Sequence, residues 1–545
     1  DGNARTDPHV APREMHALYL YPFERVIREA HPLGVMSSYN DWDGEPVTAS
    51  YYFLTELLRK EFGFTGYVVS DSDAVEFIFS KHHVAKDKKD AVRMAFEAGL
   101  NVRTNFDDPG NYILPLRQLI KDSAVSVKTL NSRVSDVLRV KFKLGLFDHP
   151  INYLPEEADK IVNNDAAKKT AKKASRECLV LLKNENSLLP LDKTKIKNIL
   201  ITGPLAADTL NSMSRYGPNN VKCISVLKGM KEYLDNRVSI SYEKGCETID
   251  ATWPESEIFP QPLTDKEAKD IQDAVDKAKQ SDVVIAVLGE EEALVGESRS
   301  RTSLDLPGRQ LQLLQAIQAT GKPVVLVLIN GRPLTINWAN KFIPSILEAW
   351  FPGKDGGTSI AETIFGDYNP GGKLSTTFPK SVGQIEYNFP FKPGSHAGQP
   401  GDGPNGFGKT NVYGCLFPFG FGLSYTTFSY NNLMVTPEIK DMKGEIDVTV
   451  DVTNTGKMKG DEVVQLYFKE ETSSVTVYET QLRGFERITL NPGETKTVKF
   501  KLSTDDFRLI DKQMHWVLEP GAYDILIGSS SEDIRLKKQF TIQKN

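Results

Sequence analysis

Two segments of the chain place carboxylates where an apolar strand gives out. In GFTGYVVSDSDAV, an apolar run delivers Ser70 and Asp71 to its end, with Asp73 two residues on. A carboxylate held there by backbone and hydroxyl donors stays ionised at neutral pH, as a nucleophile requires. Alternatively, one of these aspartates caps the helix that follows the turn, and the local sequence leaves both readings open. In VLGEEEALVGESRSRTSLDLPGRQ, a buried strand ends at Gly289 and a polar loop with four glutamates runs toward a helix near Pro307. Such a loop can carry a carboxylic acid to the active site of a neighbouring domain. Glu297 stands out there, flanked by Gly296, Arg299 and Arg301. The run Glu290, Glu291 and Glu292 reads as a solvated charge cluster; as a hard-metal site it lacks the alternation of oxygen ligands that a calcium loop needs.

Other chemical signals are weaker. His82 and His83 follow the Asp71 strand closely, so they either line a pocket or are plain loop histidines. The aromatics of YGCLFPFGFGLSYTTF either stack on sugar rings or pack at the edge of a sandwich. The sequence contains no GxxxxGK[ST], HExxH or GxSxG and no GxGxxG opening a helix, which removes local support for phosphate-loop, zinc-peptidase, lipase-like and dinucleotide readings.

These residues need elements to position them. Helical spacing of Met15, Leu18, Phe23, Val26 and Ile27 predicts a helix over 12–30, followed by the strand LGVMSSYN. The alternation repeats: YYFLTELLRKEFG as a helix stopped by Gly63, GYVVSD as a strand, AVRMAFEAG as a helix stopped by Gly99, and LNVRTN as a third strand. Parallel βα units present the residues at their carboxyl strand ends to a ligand, which singles out Tyr39-Asn40 and Ser70-Asp71. After a Lys-rich helix, IKNILITG, DVVIAVLG and PVVLVLING are near-continuous Val/Ile/Leu runs closed by Gly, the pattern of parallel strands buried on both faces. A Gly/Pro-rich stretch from about 379 to 430 reads as a long loop or linker. Beyond it the period becomes two, as in GEIDVTVDV, which predicts a β-sandwich of about 110 residues.

Composition sets the outer bounds. At about 150 residues per domain, 545 residues imply roughly three or four domains. The chain is 40% hydrophobic and 25% charged, with a net charge of −6, an ordinary globular balance that offers no field for a phosphate backbone or anionic lipid. Nucleic acid and membrane are therefore not expected as partners. No run approaches the ~20 apolar residues of a membrane span, and the first residues carry neither an initiator Met nor a secretory leader, so the start reads as a cut end. Cys178, Cys223, Cys246 and Cys415 lie far apart with no CxxC pair, and read as core thiols that leave the compartment undecided.

Six segments, VMSSYNDWDGEPV, GFTGYVVSDSDAV, LLKNENSLLPL, GESRSRTSLDLPGRQ, GDYNPGGKLSTTFP and PFGFGLSYTTF, occur in this order. Together they resemble glycoside hydrolase family 3, the β-glucosidases, β-xylosidases and exo-glucanases, over almost the whole chain. The resemblance implies a multidomain α/β plus all-β protein: a (β/α)8 TIM barrel present only in part, an α/β/α sandwich and a fibronectin type III-like β-sandwich. The corresponding boundaries are 1–165, 166–378, a linker at 379–430, and 431–545. It implies Asp71 as nucleophile and Glu297 as general acid/base, Met36 and Tyr39 as lining of the donor-sugar pocket, and Arg215 and Tyr216 on a sandwich loop reaching the sugar. Ser72 stands where the family usually has an aromatic residue, so the stacking platform for the leaving group must come from elsewhere.

The expected activity is that of a retaining, exo-acting β-glycosidase releasing β-linked glucose, with β-xylosidase as the alternative within the family. The two carboxyls would work by double displacement about 5–5.5 Å apart. No metal or organic cofactor is implied. A non-catalytic carbohydrate-binding or scaffold relative is the reading from a different class, and a branch with a His-Asp dyad acting on N-acetylglucosaminides is disfavoured by the sandwich and the GESRSRT loop. The barrel half that carries the family's donor-binding Asp, Arg and Lys-His pair is not in this sequence, and is expected as a separate fragment or an unlisted segment. A homodimer and a periplasmic or secreted location are further family-based expectations.

Overall fold

The computed structural model describes residues 5–149, 155–162, 164–210, 216–217, 221–235, 237–384, 388–393, 412, 414–440 and 442–543. Its contacts divide it into two units, Asp1–Ile161 and Val162–Asn545. No helix among the described residues is long and apolar enough to cross a membrane.

In the first unit the predicted βα alternation is present. Strands Gly34–Met36 and Tyr67–Val69 run parallel, with Met36 opposite Val69. The expected third strand reduces to a single parallel bridge between Val69 and Val102. Its ladder is short because the Asn101 side chain takes over a backbone position, with Oδ1 accepting from the Val68 N–H at 2.7 Å. Val68, Ile78, Ala95 and Leu100 are fully buried in the core beneath. The predicted 12–30 helix is interrupted. Leu20 bonds back five residues to Met15 in a widened turn, and a new helix, Tyr21–Ala30, starts with Pro22 in its first turn. Proline has no N–H to continue the preceding ladder but fits a first turn well.

The second unit contains a six-stranded sheet in the order Val180–Asn184, Ser345–Glu348, Val324–Ile329, Val283–Gly289, Asn198–Thr202, Ser239–Glu243. The first of these strands is antiparallel to its neighbour and the others run parallel. Every residue of Val283–Gly289 and Val324–Ile329 is buried, because helices cover both faces. Helix Asp265–Lys279 packs on one face; its start is set by a reciprocal cap between Thr264 and Glu267. Helices Val226–Leu234 and Gly356–Ile364 pack on the other. The segment leading to the β-sandwich lies along this sheet: Leu423 donates to Leu181, and Phe378 to Phe417. Its aromatics are packing residues, with Phe417 against Phe378 and Phe421.

The β-sandwich has a three-stranded sheet, Phe428–Lys440, Lys443–Asn454 and Thr495–Ser503, and a four-stranded one, Gln481–Leu490, Gly460–Glu470, Gly521–Gly528 and Ile534–Ile542. Ile446, Val448, Val450 and Val452 all point inward, as their period of two requires.

Gly289 closes its strand at φ 138°, and a Cβ there would run into the Ile329 carbonyl oxygen. Gly289→Ala should therefore cost about 2–4 kcal/mol from backbone strain and overpacking together, read as a lowered midpoint of thermal unfolding.

Candidate active site

In the first unit the two strands end together. The Ser37 N–H bonds the Val69 carbonyl and the Ser70 N–H bonds the Val102 carbonyl, both at 2.8 Å. The polar residues that follow, Ser37 to Asn40, Ser70 to Asp73 and Arg103 to Asn105, are thus gathered on one edge. Ser70 is buried and its hydroxyl accepts from the Thr104 N–H at 2.9 Å, tying the second strand end to the third. Asp71 comes next and is half-buried, with Oδ1 accepting from the Ser72 N–H at 2.7 Å. The helix-cap reading falls to Asp73, which precedes helix Ala74–Ser80 at φ 63° but makes no side-chain cap bond. Its carboxylate accepts instead from Asn105 Nδ2 at 2.7 Å.

Tyr39 is held from several sides. Its ring lies 5.6 Å from that of Phe77, the Arg5 guanidinium sits 5.1 Å from its centroid, and its carbonyl meets His82 Nε2 at 2.9 Å. His82 is accordingly no plain loop residue. Its side chain is 7% exposed and bridges Tyr39 to Asp41, whose Oδ1 lies 3.5 Å from Nδ1. Met36 is 60% exposed at the strand end, and Phe106, just beyond the third strand, is 92% exposed. Sequence reasoning passed over Phe106; an aromatic residue directly after a polar strand tip was the available signal. Arg103, also missed, has a side chain only 5% exposed, held between Glu76 at 2.6 Å and Asp107 at 2.5 Å.

The second unit carries Glu297 on the loop after the Val283–Gly289 strand. The stem of the loop is fixed before the loop begins. The buried Gln310 side chain accepts from the Gly289 N–H at 2.7 Å and donates to its carbonyl at 2.8 Å. The next residue corrects the sequence reading: Glu290 is not part of a solvated cluster but is completely buried. It sits at the carboxyl end of a strand covered on both faces, where a short polar run cannot reach water at its first position. Arg301 Nη1 donates to it at 2.6 Å and Arg301 Nη2 to Glu257 at 2.8 Å, which joins the two ends of the loop. Burial pushes the Glu290 carboxyl above its ordinary value, while Arg332 and Arg301 pull it back. Arg301 is therefore engaged away from Glu297, which is exposed near the tip beside Ser298 at φ 62°. Tyr216 is exposed on another loop of this unit, and Arg215 lies outside the described residues. Among the described cysteines, Cys223 and Cys246 are buried, whereas Cys178 and Cys415 are only partly so.

Sequence comparison adds the decisive observation. Residues 2–140 match the Glycosyl hydrolase family 3 N terminal domain, 179–425 the Glycosyl hydrolase family 3 C-terminal domain and 462–531 a Fibronectin type III-like domain. A β-xylosidase of Formosa agariphila is 38% identical over 538 residues, covering 96% of this chain and 71% of that protein. The chain belongs to glycosyl hydrolase family 3. A periplasmic β-glucosidase of Salmonella typhimurium is 37% identical, covering 95% of this chain and 68% of that protein. Among solved structures, a β-glucosidase of Erythrobacter marinus matches with a TM-score of 0.87 at 33% identity, over 98% of this chain and 71% of that one. As a family 3 member the protein is an O-glycosyl hydrolase.

Glu348 ends the strand Ser345–Glu348 of this family 3 hydrolase and is wholly buried, accepting from the Trp350 N–H at 2.8 Å. Burial raises its carboxyl well above the ordinary 4.5, with the Glu290 charge adding to the shift. A carboxyl raised in this way stabilises the fold fully below its unfolded value and loses that contribution as pH climbs through the folded one. Glu348→Gln cannot ionise, so its melting temperature should gain on that of the wild type as pH rises from 5 to 9. The gain is bounded by about 1.4 kcal/mol per pH unit and is measured by parallel thermal melts.

Proposed function

We propose that the chain acts as a retaining, exo-acting β-glycosidase that removes a β-linked glucose from the non-reducing end of oligosaccharides or glycosides. The observation that carries this reading is Asp71 itself, a carboxylate set at the common polar edge of parallel strands, with its rotamer fixed by the Ser72 N–H. Asp71 attacks the anomeric carbon while Glu297 gives its proton to the departing glycosidic oxygen. Glu297 then takes a proton from water, whose oxygen displaces Asp71 and returns the anomeric configuration to its starting sense. Tyr39 and Met36 line the donor-sugar pocket, Ser72 adjoins the nucleophile, and Arg215 and Tyr216 contribute from the sandwich loop. Phe106 supplies an exposed aromatic face in place of the residue the family usually has at Ser72.

The β-xylosidase reading is kept because the Formosa agariphila relative bears that name at 38% identity. A glucosyl pocket must hold a hydroxymethyl group that xylose lacks, so rates on nitrophenyl β-glucoside and β-xyloside measured side by side decide between the two. A periplasmic or secreted location is part of the proposal, supported by the name of the Salmonella relative.

Asp71→Asn should lower turnover of aryl β-glycosides by at least about 1,000-fold with an unchanged melting temperature, since the covalent route is lost; retained activity ends the nucleophile assignment. Glu297→Ala should slow phenyl glycosides by about 100-fold or more while barely affecting dinitrophenyl ones, with partial rescue by azide. Equal losses on both substrates would make Glu297 structural.

A further inference from the structure

Arg332 belongs to a different strand from the loop that carries Glu297, yet its contacts converge on that loop. It follows the Val324–Ile329 strand, in the segment Asn330-Gly331-Arg332. Its Nη2 donates to the Leu294 carbonyl at 2.7 Å and the Arg299 carbonyl at 3.3 Å, on either side of Glu297. Its Nε lies 3.1 Å from Glu290 Oε1, the atom that Arg301 also engages. Asn330 Nδ2 donates to the Arg332 carbonyl at 2.6 Å and holds the turn. Gly331 supplies the space, because a Cβ there would strike the Val295 side chain and the Phe351 ring. Two guanidiniums face the two carboxylates of Glu290 and Glu257, so the cluster has no negative charge left over for a bound cation.

We infer that Arg332, seated on Glu290, is the positioning residue that holds the Leu294–Arg299 stretch in one conformation and so aims the Glu297 carboxyl. This rests on the proposed acid/base role of Glu297. A planar guanidinium can reach two carbonyls and a carboxylate at once, whereas an ammonium is a single point charge. A loosened acid loses proton transfer to the leaving group, so only substrates that need protonation suffer.

The test is Arg332→Lys in the full chain, assayed on phenyl and dinitrophenyl β-glycosides of whichever sugar the wild type turns over faster. Hydrogen exchange of the 290–301 peptide and the melting temperature are followed in parallel. The expected result is a fall in kcat of about 30-fold on the phenyl substrate, less than threefold on the dinitrophenyl one, and about tenfold faster exchange confined to 290–301. Gly331→Ala, which displaces Val295, should give the same pattern in weaker form. Unchanged exchange in the loop, equal losses on both substrates, or exchange raised throughout the second unit would each overturn the inference. If Glu297→Ala shows no leaving-group dependence, the acid/base assignment fails; the exchange measurement still decides whether Arg332 holds the loop.

Discussion

A parallel strand covered on both faces can be polar only where it ends, and this constraint organises where the polar side chains of both units collect. The whole of Val283–Gly289 is buried, and Val68 lies buried between the half-buried Tyr67 and Val69, so the polar residues of both segments gather beyond the strand. Ser70 and Asp71 begin where one strand stops, and Glu290 begins where the other does. The carboxyl strand ends also leave backbone groups without ladder partners. Here the Ser70 hydroxyl and the Gln310 amide fill those positions, so the same bonds that complete the sheet fix the residues that follow.

The two edges solve the positioning problem differently. Around Asp71 the polar residues sit close to their strands and are braced by neighbours across the edge: Asn105 on Asp73, and His82 on the Tyr39 carbonyl. Around Glu297 the reach is longer, and an exposed loop has few contacts of its own to hold it. A buried carboxylate between two arginines does the holding. Removing one partner from such a group costs about 3–5 kcal/mol because the remaining charge is stranded in a low-dielectric interior. A pin of this kind is hard to break, and it keeps a mobile class of structure, the loop, in one arrangement. Glu348, also buried at a strand end, is pushed well above the ordinary carboxyl value by that burial, the effect that the two arginines oppose at Glu290.

The β-sandwich and the segment before it are structural in everything described. Phe417, Phe378 and Phe421 form an aromatic seam along the α/β sheet, and Phe389 stacks on Phe419 at 4.7 Å beside Tyr467. Clustered aromatics in a sequence look alike whether they face a sugar or a sheet. Only their neighbours tell the difference.

Much of this was determined by the sequence alone. The apolar runs closed by glycine, the period-two strands, the acid Asp71 at its strand end, the glutamate-bearing loop with Glu297 and the family motifs are all local patterns, each written within about two dozen residues. Tertiary structure decided what depends on partners distant in the chain. Glu290 reads as one of three solvated glutamates until Arg332, on the neighbouring strand's loop, is folded against it. His82 reads as a loop residue until Tyr39 and Asp41 are brought to it from the preceding βα unit. The physical reason is common to both: the cost of burying a charged or hydrogen-bonding group is met by atoms far away in sequence, and no local pattern records which atoms those will be.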